Sequence, residues 1–153
     1  MIEIRDLWVR YDRKSEYVLR GVNFSLEEGL VLIVGKTGCG KTTLLNMLGC
    51  LDRPTSGKVL VDGKDTSKFS DEELAKIRRD KIGFVFQQFN LIPTLTAVEN
   101  VGIAMRLNGV EKKEARKRAE EFLKIVGLEG RANHLPNQLS GGEMQRVAIA
   151  RQW

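Results

Sequence analysis

Over residues 1–34 apolar positions nearly alternate with polar ones, whereas beyond Pro93 they recur three or four apart. Ile2, Ile4, Leu7 and Val9, then Val22, Phe24 and Leu26, predict strands, the second closed by a Glu27-Glu28-Gly29 turn. Gly57-Lys58-Val59-Leu60-Val61-Asp62-Gly63 predicts a short strand ended by an Asp-Gly turn. These pieces predict a small antiparallel sheet beside a further strand, Val31-Leu32-Ile33-Val34. Ile82-Gly83-Phe84-Val85-Phe86 predicts a buried strand that stops at Gln87-Gln88.

The helical half announces its own starts. Ser70 with Glu73, and Thr96 with Glu99, have capping-box spacing. The first heads a helix to about Arg79; the second heads one that ends at Asn108-Gly109. Glu111 to Val126 predicts an amphipathic helix with Ala115, Ala119, Phe122, Leu123 and Val126 inward, stopped by Gly127. Phe89 to Leu95 breaks the pattern, with four large apolar residues in a loop. They either plug the core or form an exposed docking patch.

Composition narrows the class. The chain has 153 residues, 42% hydrophobic and 29% charged, enough for one globular domain. A net charge of +5 invites a nucleic-acid or anionic-membrane reading. The charge is dispersed, however, and Lys112-Lys113 and Arg116-Lys117-Arg118 sit among acids on a helix, as a solvated face does. No nucleic-acid partner is expected. Cys39 and Cys50 make no disulfide framework, which fits a reducing compartment. No run of 18 apolar residues occurs and the N-terminus is not a signal peptide, so a cytosolic protein is expected.

The chemistry lies in Gly35-Lys36-Thr37-Gly38-Cys39-Gly40-Lys41-Thr42-Thr43, between a predicted strand and a predicted helix starting at about Lys41. The spacing G-x-x-x-x-G-K-[ST] is that of a phosphate-binding loop. Gly35, Gly38 and Gly40 let the backbone curl into a ring of N–H donors. The helix that follows aims unpaired N–H groups and its positive end at the phosphates. Lys41 reaches the β and γ phosphates, and the Thr42 hydroxyl completes a magnesium shell. Gln87 and Gln88, at a strand end, suit magnesium ligation or water orientation as well as they suit a polar strand end. Ser140-Gly141-Gly142 opens another helix, either as an anion-accepting mouth or as a plain cap. Tyr11, in the β-rich lead-in, reads by itself as a packing residue.

Taken together, the Gly35–Thr43 loop, Phe84-Val85-Phe86-Gln87 and Leu139-Ser140-Gly141-Gly142-Glu143 resemble an ATP-binding cassette (ABC) transporter ATPase over essentially the whole chain. Residues Gly83–Pro93 resemble the lipoprotein-release and macrolide-export subfamily. The resemblance implies an α/β P-loop NTPase fold of the cassette type, with an antiparallel β lead-in and a helical insert. Residues 1–88 would be the β-rich and phosphate-loop core, 89–139 the helical subdomain and 140–153 the signature helix. It further implies ATP and Mg2+ as ligands, Tyr11 stacked on adenine, Thr42 and Gln87 on the metal, and Ser140, Gly141 and Gly142 as the signature. Two cassettes would pair head to tail, each signature holding the nucleotide of the other's phosphate loop. A membrane permease subunit would dock near the Gln87 loop and Phe89–Leu95, placing the protein in the cytoplasm, peripheral on the inner face of the cell membrane.

The same resemblance marks what these residues lack. The family continues with a strand ending in Asp-Glu, a D-loop and a switch histidine, whereas here the sequence closes on Arg151-Gln152-Trp153 and His134 precedes the signature. A truncated cassette is expected, with an exposed sheet edge and without ATP hydrolysis by this chain alone. A non-catalytic nucleotide-binding remnant is the alternative. Chromosome-maintenance ATPases share the loop and the signature, but their long coiled coil between Gln87 and Ser140 is replaced here by a compact insert.

Overall fold

A computed structural model describes residues 1–152, and Trp153, the expected end of the signature helix, lies outside the described residues. The chain forms two compact units, Met1–Ile82 and Gly83–Trp153.

In the first unit the alternating segments become β1 (Ile2–Val9), β2 (Leu19–Leu26) and β3 (Ser56–Val61), with a two-residue β4 (Lys64–Asp65). They form an antiparallel sheet in the order β2-β1-β3-β4. The alternation determines the packing face: Ile4, Leu7, Val9, Leu19 and Val59 turn inward together. Helix α1 (Lys41–Leu48) adds Met47 and Leu48 to that core. Burial of this set seats the C-terminal end of α1 against the sheet. Helix α2 (Asp71–Lys81) starts at the Ser70–Glu73 capping box and buries Leu74 beside Cys50 and Val61.

Two predicted strands do not form. Val31–Val34 has no regular structure, and Leu30, Leu32 and Val34 are 99%, 81% and 75% exposed. Only Ile33 packs on the core. A strand exists only where a neighbouring backbone takes its hydrogen bonds, and no such neighbour lies beside these residues among those described. Ile82–Phe86 is likewise unpaired. In the second unit the Phe84 amide instead donates to Gln152 Oε1 at 3.0 Å, and the Phe84 and Phe86 rings pack 4.5 Å apart.

The second unit is helical: α3 (Ala97–Leu107), α4 (Lys112–Ile125) and α5 (Gly141–Ala150). Val98, Val101, Ala119, Leu123, Leu139, Val147 and Ala150 share one core. The Phe89–Leu95 loop resolves toward the plug: Leu91 packs on that core, while Ile92 stays exposed. Asn100, fully buried on α3, fastens this loop. Its Oδ1 accepts from the Ile92 amide at 2.8 Å, and its Nδ2 donates to the carbonyls of Ile92, Leu95 and Thr96. Among the described residues no helix is long and apolar enough to cross a membrane.

Candidate functional site

The loop from Gly35 to Gly40 is shaped by its own lysine. Lys41 Nζ donates to the carbonyl oxygens of Gly35 (2.9 Å) and Lys36 (2.8 Å), and lies 3.9 Å from Cys39 Sγ. The Cys39 amide closes the inner turn on the Lys36 carbonyl at 3.3 Å. A Cβ on Gly35 would stand 2.7 Å from Cys39 Sγ, so a larger residue there would have to push the Cys39 side chain aside.

Gly40 is the N-cap of α1, at φ 95°, a left-handed conformation that L side chains rarely adopt. A Cβ there would also meet Leu19 Cδ2 at 2.9 Å and the Val18 carbonyl oxygen at 3.2 Å. Without a side chain at Gly40, no side chain caps α1, and its first turn holds no acid. The first turn of α1 is thus left without a side-chain partner at its mouth, with the Lys41 ammonium group beside it on the Gly35 and Lys36 carbonyls. An uncapped positive helix end beside a lysine is chemically suited to a polyanion. Thr37, Gly38 and Cys39 are exposed around the loop, Thr42 is exposed on the first turn, and Thr43 is buried beneath it.

Tyr11, just beyond β1, belongs to this neighbourhood. Its hydroxyl donates to Thr43 Oγ1 at 3.1 Å while 62% of the residue remains exposed. The pattern of isolated aromatics gave no reason to expect this, because it depends on β1 ending against α1.

The remaining candidates lie in the second unit. Gln87 is exposed in a turn after the unpaired Phe84–Phe86 segment. Ser140 caps α5 in a full capping box. Ser140 Oγ accepts from the Glu143 amide (3.3 Å) and donates to Glu143 Oε2 (2.9 Å), which also accepts from the Ser140 amide (2.8 Å). Glu143 Oε1 takes a further bond from Arg131 Nε at 2.9 Å. The Ser140 amide, Arg131 and the Ser140 hydroxyl together hold the Glu143 carboxyl down to about 2, so it is a carboxylate at neutral pH. Gly141 has nothing within 4 Å of a Cβ position, and Gly142 has only Arg146 Nη1 at 3.8 Å. Sequence reasoning passed over Asn100 and Arg151, which hold the segment after Gln87. Arg151 donates to the carbonyls of Asn90 (2.6 Å) and Phe89 (3.0 Å). Neither residue belongs to a motif, and the burial that gives Asn100 its role is visible only in the fold.

Comparison with known proteins bears on this arrangement directly. The family model described as ABC transporter matches residues 19–153. An uncharacterized ABC transporter ATP-binding protein of Thermotoga maritima is 54% identical over 154 residues, covering 99% of this chain and 66% of that protein. The macrolide export ATP-binding/permease protein MacB of Shewanella sp. (strain ANA-3) is 49% identical over 135 residues, 88% of this chain and 21% of MacB. The dimeric structure of a post-hydrolysis state of the ATP-binding cassette MJ0796, from Methanocaldococcus jannaschii, bound to ADP and Pi, superposes with a TM-score of 0.91. At 52% identity it covers 99% of this chain and 68% of that one. The chain thus spans about two thirds of the length of the ATP-binding relatives it matches.

Proposed function

Because this chain belongs to the ABC transporter family, matched over residues 19–153, we propose that it is the ATP-binding part of a transporter, holding Mg-ATP to drive substrate movement through a membrane permease. The observation that carries the reading is the mouth of α1, uncapped at Gly40, with Lys41 folded across the loop it closes. Lys41 turns from the Gly35 and Lys36 carbonyls toward the β and γ phosphates as these enter, and the loop amide groups take the phosphate oxygens. Among the described residues no group of three His, Cys, Asp or Glu side chains could hold a metal. Thr42 and Gln87 would each offer a side-chain oxygen to the magnesium that accompanies the nucleotide. Tyr11 offers its exposed ring to adenine.

Ser140, Gly141 and Gly142 meet the nucleotide of a second cassette, paired head to tail. The dimeric MJ0796 cassette with ADP and Pi supports both the ligand and the pairing, and the name of MacB supports a permease partner. Such a protein works in the cytoplasm, held on the inner face of the membrane through that permease.

Titration with Mg-ATP tests the reading. Lys41→Ala is expected to weaken binding by about 2–3 kcal/mol, the scale of lost charge-assisted hydrogen bonds. Unchanged affinity removes the assignment.

A further inference from the structure

We propose that Arg10 and Tyr17 are positioning residues that clamp the loop carrying Tyr11, so that its ring is ordered for a nucleotide base before one arrives. The inference rests on the reading of Tyr11 as the adenine-stacking residue. Tyr11 lies in a stretch, 10–18, with no ladder of its own between β1 and β2. Such a loop would ordinarily leave its aromatic side chain free to sample many positions. Ordering such a rotamer-rich side chain on binding carries an entropic cost that weakens affinity.

Here the loop is tied at both ends and across its middle. At its base the Val18 amide donates to the Val9 carbonyl at 2.8 Å. Thr55 Oγ1 accepts from the Arg10 amide (3.0 Å) and donates to the Arg10 carbonyl (3.2 Å), fixing the backbone next to Tyr11. The Arg10 guanidinium lies 4.8 Å from the centre of the Tyr17 ring and donates to the Arg13 carbonyl at 2.9 Å. Tyr17 in turn meets Trp8 edge to face, ring centres 5.2 Å apart, and Trp8 Nε1 is anchored on Asp6 Oδ1 at 2.8 Å. Asp6, Trp8, Tyr17, Arg10 and the loop carbonyl thus form a continuous chain of contacts. Just beyond β1, Arg10 engages Tyr17 while its neighbour Tyr11 engages Thr43.

A ligand that has phosphates and no base separates an effect on the Tyr11 ring from an effect on the phosphate loop, which gives the test its readout. The chain is titrated calorimetrically with Mg-ATP and with inorganic tripolyphosphate, which lacks a base. Tyr17→Ala and Arg10→Met are each expected to raise the Kd for Mg-ATP about three- to tenfold, the scale of ordering one side chain, while leaving tripolyphosphate within about twofold. Tyr17→Phe, which keeps the ring, is expected to bind both like the parent chain. Equal losses for both ligands in both variants overturn the proposal, since a general loosening of the fold moves them together. So does unchanged Mg-ATP affinity in Arg10→Met and Tyr17→Ala while Tyr11→Ala loses it, which leaves the adenine reading standing. If Tyr11→Ala itself binds Mg-ATP as the parent chain does, the adenine reading fails and the clamp with it.

Discussion

The chain has two helix entrances rich in glycine, and they are built in opposite ways. At α1 the N-cap is a left-handed Gly40, no side chain closes the end, and a lysine folds back over the loop. At α5 the N-cap is Ser140, whose hydroxyl takes the Glu143 amide while the Glu143 carboxylate accepts from the Ser140 amide. The first mouth leaves its donors for a ligand. The second spends some of them on its own side chains. Similar residue types before a helix therefore do not make similar anion sites: what differs is whether the chain supplies an internal anion. The glycines differ too. Gly40 is demanded by conformation and close packing, whereas Gly141 and Gly142 have open space around them, so the fold does not require their lack of a side chain.

The contrast can be broken most decisively at Gly40. Gly40→Ala puts a Cβ into a left-handed position against Leu19 and Val18, an expected cost of about 1–3 kcal/mol in stability. Mg-ATP binding should fall at least tenfold with it, read by thermal melting and calorimetry. A variant that melts and binds normally would mean that the mouth does not depend on this geometry. Next in size is the thiol test. Exposed Cys39 should react with iodoacetamide while buried Cys50 does not, and Mg-ATP should slow labelling of Cys39 severalfold by occupying the loop. Equal labelling with and without nucleotide would leave the loop empty of ligand.

The pH response sharpens the comparison further. Glu143 titrates at about 2 in the folded chain against an ordinary 4.5. A depressed folded value means that the cap's contribution is complete above pH 4.5 and is lost as pH falls through about 2. Glu73 and Glu99, held by their own capping boxes, are shifted in the same direction. Amide exchange in the first turn of α5 should therefore accelerate in acid, while α1, with no acid in its first turn, lacks this dependence. A Glu143 carboxyl that NMR shows titrating near 4.5 would open the second mouth. The smallest effect is expected at Gly142→Ala, within about 0.5 kcal/mol of the parent in melting, because alanine suits a helix and meets open space. A larger loss would show that the fold itself needs Gly142.

Local pattern carried most of the elements. Capping boxes at Ser70 and Thr96 began helices where the spacing placed them, and the alternation in β1 and β2 picked the buried face. These succeed because the interactions are between residues three, four or two apart. The phosphate loop was legible for the same reason: glycine, lysine and threonine at fixed spacing close on themselves within a few residues. Strand assignments at Val31–Val34 and Ile82–Phe86 failed, since apolar residues declare a preference for burial but a ladder needs a neighbouring backbone.

The sequence by itself thus determined the helices, their caps, the antiparallel lead-in and the lysine-closed loop. Only the tertiary structure decided that Tyr11 touches Thr43, that Arg10 covers Tyr17, and that Asn100 and Arg151 hold the segment after Gln87. Those contacts join residues brought together by packing rather than by a short repeat. The state of Ser140 belongs to both: its capping box is written in the spacing, and the Arg131 bond that completes it comes from the fold.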